Sequence, residues 1–356
     1  MLPAYFEDEL SFMGGGDRYA YNLSRALRGL CDITLVTFGP RWRESGEDGL
    51  RHLVLPARGR DKDNPRPGLG PLLRERFDLV HVFQLRSLVT SILAVACRAR
   101  RIPLVVTDVG GGGRSMMFRL RLYSLVPSFV LISEFSRSLL PRSTWRRAKV
   151  VRGGIDLARF PFSEGQRQRQ VVQVGRLMPH KGINYLIDAA GGDIPVVVAG
   201  KVIDQAYYQH LKRQSEGKRV TFLIDAADEV VAEVYARSAV TVAASVYRDE
   251  FGREWPNSEL LGLTLLESMA VGTPVVCTKV GGMPEYVLDG KTGYVVPPND
   301  ASALRARLDV LLGDRRLAAS MGTAGHEHVH QFTWQNVADG VAAEYSRLAR
   351  DGGLQS

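Results

Sequence analysis

Cysteine is scarce in this chain: Cys31, Cys97 and Cys277 stand far apart among 356 residues, a spacing that offers neither a disulfide framework nor a zinc pair. All three are expected as buried thiols in a reducing cytosol. No apolar run approaches the roughly eighteen residues of a spanning helix. The opening MLPAYFEDEL has neither the basic start nor the long apolar core of a secretory leader. A cytoplasmic protein is expected. Neither a dinucleotide fingerprint of spaced glycines nor a phosphate loop ending in lysine occurs, and no internal repeat or low-complexity block stands out. A full opening strand is lacking too. Only MLPAYF precedes the first loop, so that strand is either very short or missing a few residues at its start.

What is present is an ordinary globular composition, 45% apolar and 24% charged, in a chain long enough for two domains. Short β-branched runs alternate with amphipathic stretches. CDITLVTF (31–38), FDLVHVF (77–83), IPLVVTD (102–108) and FVLIS (129–133) read as strands in the first half. VVQVG (171–175), PVVVAG (195–200), VTFLI (220–224), VTVAAS (240–245) and PVVCT (274–278) do so in the second. Helical stretches fall between them, Leu263 to Val271 among them. Strands that are apolar throughout and alternate with helices predict doubly wound parallel sheets. The polar stretch 153–170 reads as a linker. Domains are expected at 1–155 and 156–332, with 333–356 a terminal helix crossing back to the first.

Two motifs in the second half carry chemistry. VGRLMPHKG (174–182) places Arg176 and Lys181 at the carboxyl end of a strand, where open α/β sheets bind ligands. A forked guanidinium and a point-charge ammonium suit a diphosphate. SELLGLTLLESMAVGTP (258–274) carries Glu259 and Glu267 with seven residues between them. Glu267 falls in the early turns of the helix, near the positive end of its dipole. In the first half, MGGGDRY (13–19) and DVGGGGR (108–114) read either as tight turns or as backbone cradles for phosphate.

VGRLMPHKG, the Glu259–Glu267 pair, GTPVV and GGMPE (281–285), in this order, resemble family 4 of the glycosyltransferases, retaining enzymes of the GT-B fold. GGGDR, the HV at 81–82, ISEFSRSLL (132–140), GGIDLARF and FTW (332–334) extend the resemblance over almost the whole chain. The resemblance implies an α/β protein of two Rossmann-like doubly wound parallel-sheet domains facing across a cleft, the first on the acceptor side and the second binding the sugar nucleotide. It implies that Glu267 receives the ribose hydroxyls and that Glu259 lies beside the transferred sugar. Arg176 and Lys181 would hold the diphosphate, Gly14, Gly15 and Gly16 would touch it, and the helix start at Gly262, Leu263 and Thr264 would face phosphate and sugar. Base contacts would come from backbone near Ile224 to Ala226. His81 matches a frequent histidine of the family and is read either as a catalytic residue or as a core histidine. The chain departs from the family pattern at Leu260-Leu261-Gly262, where Gly-Phe-Gly is common, at Val109, where a histidine is common, and at Phe83.

The expected activity is therefore a metal-independent, retaining transfer of a sugar from a nucleotide-diphosphate donor to a hydroxyl acceptor, with no cofactor and no nucleic-acid partner. A sugar-nucleotide epimerase, a phosphorylase or a non-catalytic nucleotide-binding protein of the same fold are the rivals. Asp61-Lys62-Asp63 imitates a metal-binding Asp-x-Asp but lies in a polar loop and reads as a solvated turn. His326, His328 and His330 lack an evident further ligand for zinc. The polar stretch 246–257 reads either as a wall of the sugar pocket or as a surface loop. Charge is uneven: residues 1–160 hold 26 Lys+Arg against 15 Asp+Glu, residues 161–356 hold 20 against 23. Arg114, Arg119 and Arg121, interleaved with Met116, Met117, Phe118, Leu120 and Leu122, form a basic amphipathic segment suited to an anionic membrane surface. A lipid-linked or surface-glycan acceptor at the inner face of the membrane is the leading expectation, and a soluble small-molecule acceptor the alternative.

Overall fold

A computed structural model describes residue 1 and residues 15–47, 49–58, 66–67, 70, 75–110 and 116–351. Gly14, the Asp61-Lys62-Asp63 turn and Arg114 lie outside the described residues. The chain divides into two compact units, Met1–Gly154 with Trp334–Ser356, and Ile155–Thr333.

In the first unit, helix α1 (Gly15–Leu27) precedes β1 (Thr34–Gly39), β2 (Arg43–Glu47), β3 (Leu50–Arg58) and the short β4 (Arg66–Pro67). β1 pairs parallel with β3, and β2 and β4 pair antiparallel to it. β5 (Val80–Phe83), β6 (Leu104–Thr107), β7 (Ser128–Leu131) and β8 (Ala148–Val150) form a parallel sheet in that order. Helix α2 (Leu88–Arg100) links β5 to β6; Ser87 caps its start by accepting the Thr90 N–H, and Arg101 closes it in the left-handed conformation. Met1 lies beside β5, its carbonyl accepting the Phe83 N–H at 3.0 Å. Val82, Leu93, Val106, Phe129 and Leu131 are fully or almost fully buried in one core cluster. The two chain regions Arg43–Glu47 and Leu50–Arg58 were not read as strands in the sequence. They pair with each other as an antiparallel hairpin, and β3 alone of the two also pairs with β1; the polar Arg-Glu-Ser-Gly-Glu run of β2 carries no apolar strand pattern.

Only part of the apolar side of the basic segment faces outward. The segment forms two short turns, α3 (Met116–Arg119) and a 3-10 turn (Leu122–Leu125), separated at Arg121 with φ 53°. Met117 is fully buried, and Phe118 and Leu122 pack against the same core. Only Met116 and Leu120, 44% and 54% exposed, remain as outward large apolar residues of the five. Helix α4 (Glu134–Ser138) follows β7.

The second unit is a six-stranded, wholly parallel sheet in the order β11-β10-β9-β12-β13-β14. Its strands are β9 (Gln168–Val174), β10 (Val196–Gly200), β11 (Val220–Ile224), β12 (Ser238–Ala243), β13 (Val275–Thr278) and β14 (Gly293–Val296). Helices α5 (Ile183–Ala190), α6 (Gln205–Gln214), α7 (Asp228–Arg237), α8 (Leu263–Ala270), α9 (Ala301–Gly313) and α10 (Arg315–Val329) accompany it. Asp204, Asp300 and Asp314 cap α6, α9 and α10, each accepting a first-turn N–H, as short polar residues do at helix starts. Val171, Val198, Val240, Val242 and Val276 are buried with Leu186, Ile187 and Leu308, which accounts for the unbroken apolar runs of the central strands.

The last helix, α11 (Trp334–Asp351), belongs to the first unit. Val337, Ala338, Val341 and Leu348 are buried, the Trp334 ring lies 5.0 Å from that of Tyr19, and Glu344 accepts a hydrogen bond from Ser128.

Candidate functional site

The site is built at the carboxyl ends of β9, β12 and β13, the edge where open parallel sheets bind ligands. After β9 the chain passes Arg176 and forms a single 3-10 turn, Pro179–Lys181. Gly182 follows with φ 61°, and a Cβ there would run into the Ala244 carbonyl. Only glycine lets this turn lie against the end of β12. Gly281 has φ 58°, and a Cβ on it would strike the Glu259 carbonyl, which accepts the Gly282 N–H at 2.9 Å. The two glycines thus fix Lys181 and Glu259 from opposite strands.

Those two side chains form an ion pair, Lys181 Nζ with Glu259 Oε1. They are 20% and 14% exposed, and the Ser245 hydroxyl donates to the same oxygen at 2.7 Å. Burial acts to raise the Glu259 carboxyl, but the Lys181 charge and hydrogen bond, with the Ser245 hydroxyl, outweigh it and hold the group below its ordinary value. Arg176 is exposed, and among the described residues no acid forms an ion pair with it. His180, between the two cations in sequence, is buried. Burial, then the Lys181 charge, push it down to about 4.

Helix α8 starts at Leu263 behind Gly262, with no side-chain cap, so its first-turn N–H groups at Leu263 and Thr264 are not covered by a capping side chain. Glu267 is the fifth residue of this helix. It stands in the second turn, within the early turns expected of it and just past the first turn, where the dipole effect is strongest. Its carboxylate is held by Tyr235, whose hydroxyl donates to Oε2 at 3.0 Å from a buried position. At the end of β11, Asp225 takes φ 52°, turning the backbone over 224–226.

In the first unit, Gly15 and Gly16 form the first turn of α1. A Cβ on Gly16 would come within 3.1 Å of the Val109 carbonyl, so the helix start abuts the loop after β6. His81 is buried in β5 with both ring nitrogens hydrogen-bonded, Nδ1 with the Tyr345 hydroxyl at 2.6 Å and Nε2 with Thr107 Oγ1 at 2.8 Å. Burial holds it well below its ordinary value. With both nitrogens engaged, this arrangement favours the core reading of His81, joining β5, β6 and α11, over the catalytic one. His326 Nδ1 donates to the Ala270 carbonyl at 2.7 Å, and His330 Nδ1 to the His326 carbonyl at 2.9 Å. Among the described residues no group of three potential metal ligands occurs, and no helix is long and apolar enough to cross a membrane.

Sequence reasoning missed Ser245, Tyr235 and His180. Ser245 and Tyr235 reach the site across the sheet from positions with no motif of their own, whereas His180 sat inside a motif and gave a signal through its neighbours.

The chain matches the family "Glycosyl transferases group 1" over residues 155–328 and "Glycosyltransferase Family 4" over residues 13–159. The two matches together span both units, and the chain belongs to the family 4 glycosyltransferases. It is 34% identical over 207 residues to a D-inositol 3-phosphate glycosyltransferase of Mycolicibacterium smegmatis, covering 56% of this chain and 45% of the relative. To a glycogen synthase of Mycobacterium tuberculosis it is 31% identical over 214 residues, 56% of this chain and 49% of the relative. The chain spans about half the length of these curated relatives. Among solved structures, it resembles a sucrose-phosphate synthase from Thermosynechococcus elongatus with TM-score 0.73 and 21% identity, over 98% of this chain and 96% of the other. Anabaena HepE in complex with UDP and glucose gives TM-score 0.72 and 19% identity, over 98% and 100%. At these identities the likeness establishes the fold, which is GT-B with two Rossmann-like units.

Proposed function

We propose that the chain is a retaining glycosyltransferase that moves a sugar from a nucleotide-diphosphate donor to a hydroxyl acceptor, without a metal ion or cofactor. The observation that carries this reading is the Lys181–Glu259 pair beside Arg176, with which no acid pairs among the described residues, at the carboxyl strand edge of the second unit. Lys181 has three N–H donors, so it can keep Glu259 and also bind a phosphate oxygen. Arg176 supplies a fork to the same diphosphate. Glu267 takes the ribose hydroxyls, Glu259 the transferred sugar, and the first-turn amides at Leu263 and Thr264 face phosphate, with Gly262 opening that turn. The anomeric carbon–oxygen bond breaks with its electron pair on the departing diphosphate, which the cations stabilise as charge develops. The acceptor oxygen bonds to the same face of the sugar and passes its proton to the leaving phosphate oxygen.

A thermal-shift panel of UDP-, GDP-, ADP- and TDP-sugars, followed by product analysis, tests this. Stabilisation by one nucleotide class, with donor turnover and retained anomeric configuration in the product, is the expected result. Interconversion of the donor sugar without transfer would indicate an epimerase, and binding without any turnover a non-catalytic protein.

The favoured acceptor is lipid-linked or a surface-glycan precursor at the inner face of a membrane. Support comes from Arg119 and Arg121, exposed beside Met116 and Leu120, and from Trp145 with Arg137 and Arg142 over its ring. Arg147 ties the two regions by donating to the Ser124 carbonyl at 3.2 Å. Each basic residue near an anionic surface contributes about 1 kcal/mol. Co-sedimentation with anionic vesicles at low salt, lost in Arg119→Glu/Arg121→Glu, is expected. A soluble phosphorylated acceptor is the second reading, favoured by the name of the inositol-phosphate relatives; no vesicle binding at low salt would leave it standing alone.

A further inference from the structure

Between β12 and Glu259 the chain runs from Ala244 to Ser258, and this stretch is knitted to itself through the buried Asp249. Asp249 Oδ1 accepts from the N–H groups of Phe251 at 3.0 Å and Arg253 at 2.9 Å, and Oδ2 from Trp255 Nε1 at 2.7 Å. Arg248 and Glu254 bridge across the turn. The loop is also fastened to the rest of its unit. Tyr247 accepts the Gly281 N–H at 2.7 Å, Asn299 donates to the Arg248 carbonyl at 2.9 Å, and Glu250 meets His210 at 3.0 Å. A merely solvated loop is tied down less thoroughly.

Its contact with the site is Trp255. That ring lies 4.5 Å from the His180 ring, centroid to centroid, and the Arg253 guanidinium covers it at 4.1 Å. The His180 carbonyl accepts the Val246 N–H at 2.8 Å, while its buried Nδ1 has no partner. Lys181, Arg176, Glu259 and Asp249 are the charged groups that act on this ring. As a neutral wedge it leaves Glu259 to Lys181. Protonated, it would be a third cation competing for the same carboxylate.

We propose that Trp255 is a positioning residue for the donor: by packing its tilted ring against His180 it fixes the turn that carries Lys181 against Glu259. The loop 246–257 thereby governs how the transferred sugar is held and leaves nucleotide recognition to Glu267. This rests on the reading of Glu259 as the sugar-side carboxylate.

The test compares wild type, Trp255→Phe and Trp255→Ala in UDP binding by calorimetry and in UDP-glucose hydrolysis, at pH 7.5 and 5.5, or with the matched pair that the donor panel selects. Trp255→Ala is expected to lose at least tenfold in kcat/KM for the sugar nucleotide and clearly less in UDP affinity, where Arg176 and Glu267 still hold the ligand and only the Lys181 contact is loosened. The loss should deepen at pH 5.5, where the uncovered His180 takes up a proton. Trp255→Phe keeps an aromatic ring against His180 and should stay within threefold of wild type. Equal losses for UDP and UDP-glucose, a loss independent of pH, or no loss overturns the positioning role and leaves the donor reading intact. A wild type that neither binds nor hydrolyses any sugar nucleotide overturns the donor reading, and this inference with it.

Discussion

Lys181 and Glu259, 78 positions apart in the chain, share one ion pair in which Glu259 also accepts from Ser245. Removing one partner of a largely buried pair leaves the other desolvated and alone. Lys181→Met should therefore destabilise the second unit by about 1–3 kcal/mol, below the figure for a fully buried pair because some solvent reaches both groups. Adding Glu259→Gln should restore part of that loss. Urea unfolding of the two single variants and the double variant measures the coupling, and simple additivity would mean that the pair contributes nothing.

Arg176 offers the contrasting case. It is exposed and forms no ion pair among the described residues. Arg176→Ala should shift stability by no more than about 0.5 kcal/mol, yet cost about 2–4 kcal/mol of transition-state stabilisation in donor turnover. Wild-type kinetics in this variant would remove Arg176 from the diphosphate site.

Glu267 and Glu259 should separate in calorimetry. Glu267→Ala is expected to weaken nucleotide diphosphate and sugar nucleotide alike, since ribose is common to both. Glu259→Ala should spare the nucleotide and impair transfer. Tyr235→Phe removes the hydroxyl that holds Glu267 and should mimic Glu267→Ala in weaker form, at a cost of about 1.5–3 kcal/mol for a hydrogen bond to a charged group. Equal losses for both glutamate variants with both ligands would show the roles to be wrongly divided.

Acid should destabilise the fold well before its carboxylates titrate. Burial and Lys181 hold His180 at about 4, and burial holds His81 well below its ordinary value, whereas an unfolded histidine titrates near ~6.5. Below that value the unfolded chain binds protons that the folded protein refuses. Stability then falls with pH by up to about 1.4 kcal/mol per unit for each histidine. The depressed Glu259 carboxyl has the same sign lower down, its contribution present above the unfolded value and lost as pH falls through the folded one. Unfolding midpoints at pH 7, 6 and 5 should decline, less steeply in His180→Gln, and a flat profile would contradict the burial of both rings.

The local pattern of the chain specified a good deal. Apolar spacing ahead of Gly272 and Pro274 marks α8 to within one residue of its observed end, because periodicity and a helix stop are both local. The apolar runs that became β10, β11 and β13 were legible for the same reason. The sequence order of Arg176, Lys181, Glu259 and Glu267 identified the family, since spacing within a motif survives without knowledge of the fold. Tertiary structure decided the rest. It buried Met117 and so narrowed the outward apolar face of the basic segment to Met116 and Leu120, bonded both nitrogens of His81, and brought Ser245 and Tyr235 to the two glutamates. It also set Trp255 against His180, 75 positions earlier in the chain. Each of these depends on which strands lie side by side, and that arrangement is set by the packing of the whole sheet, which no short window of sequence contains.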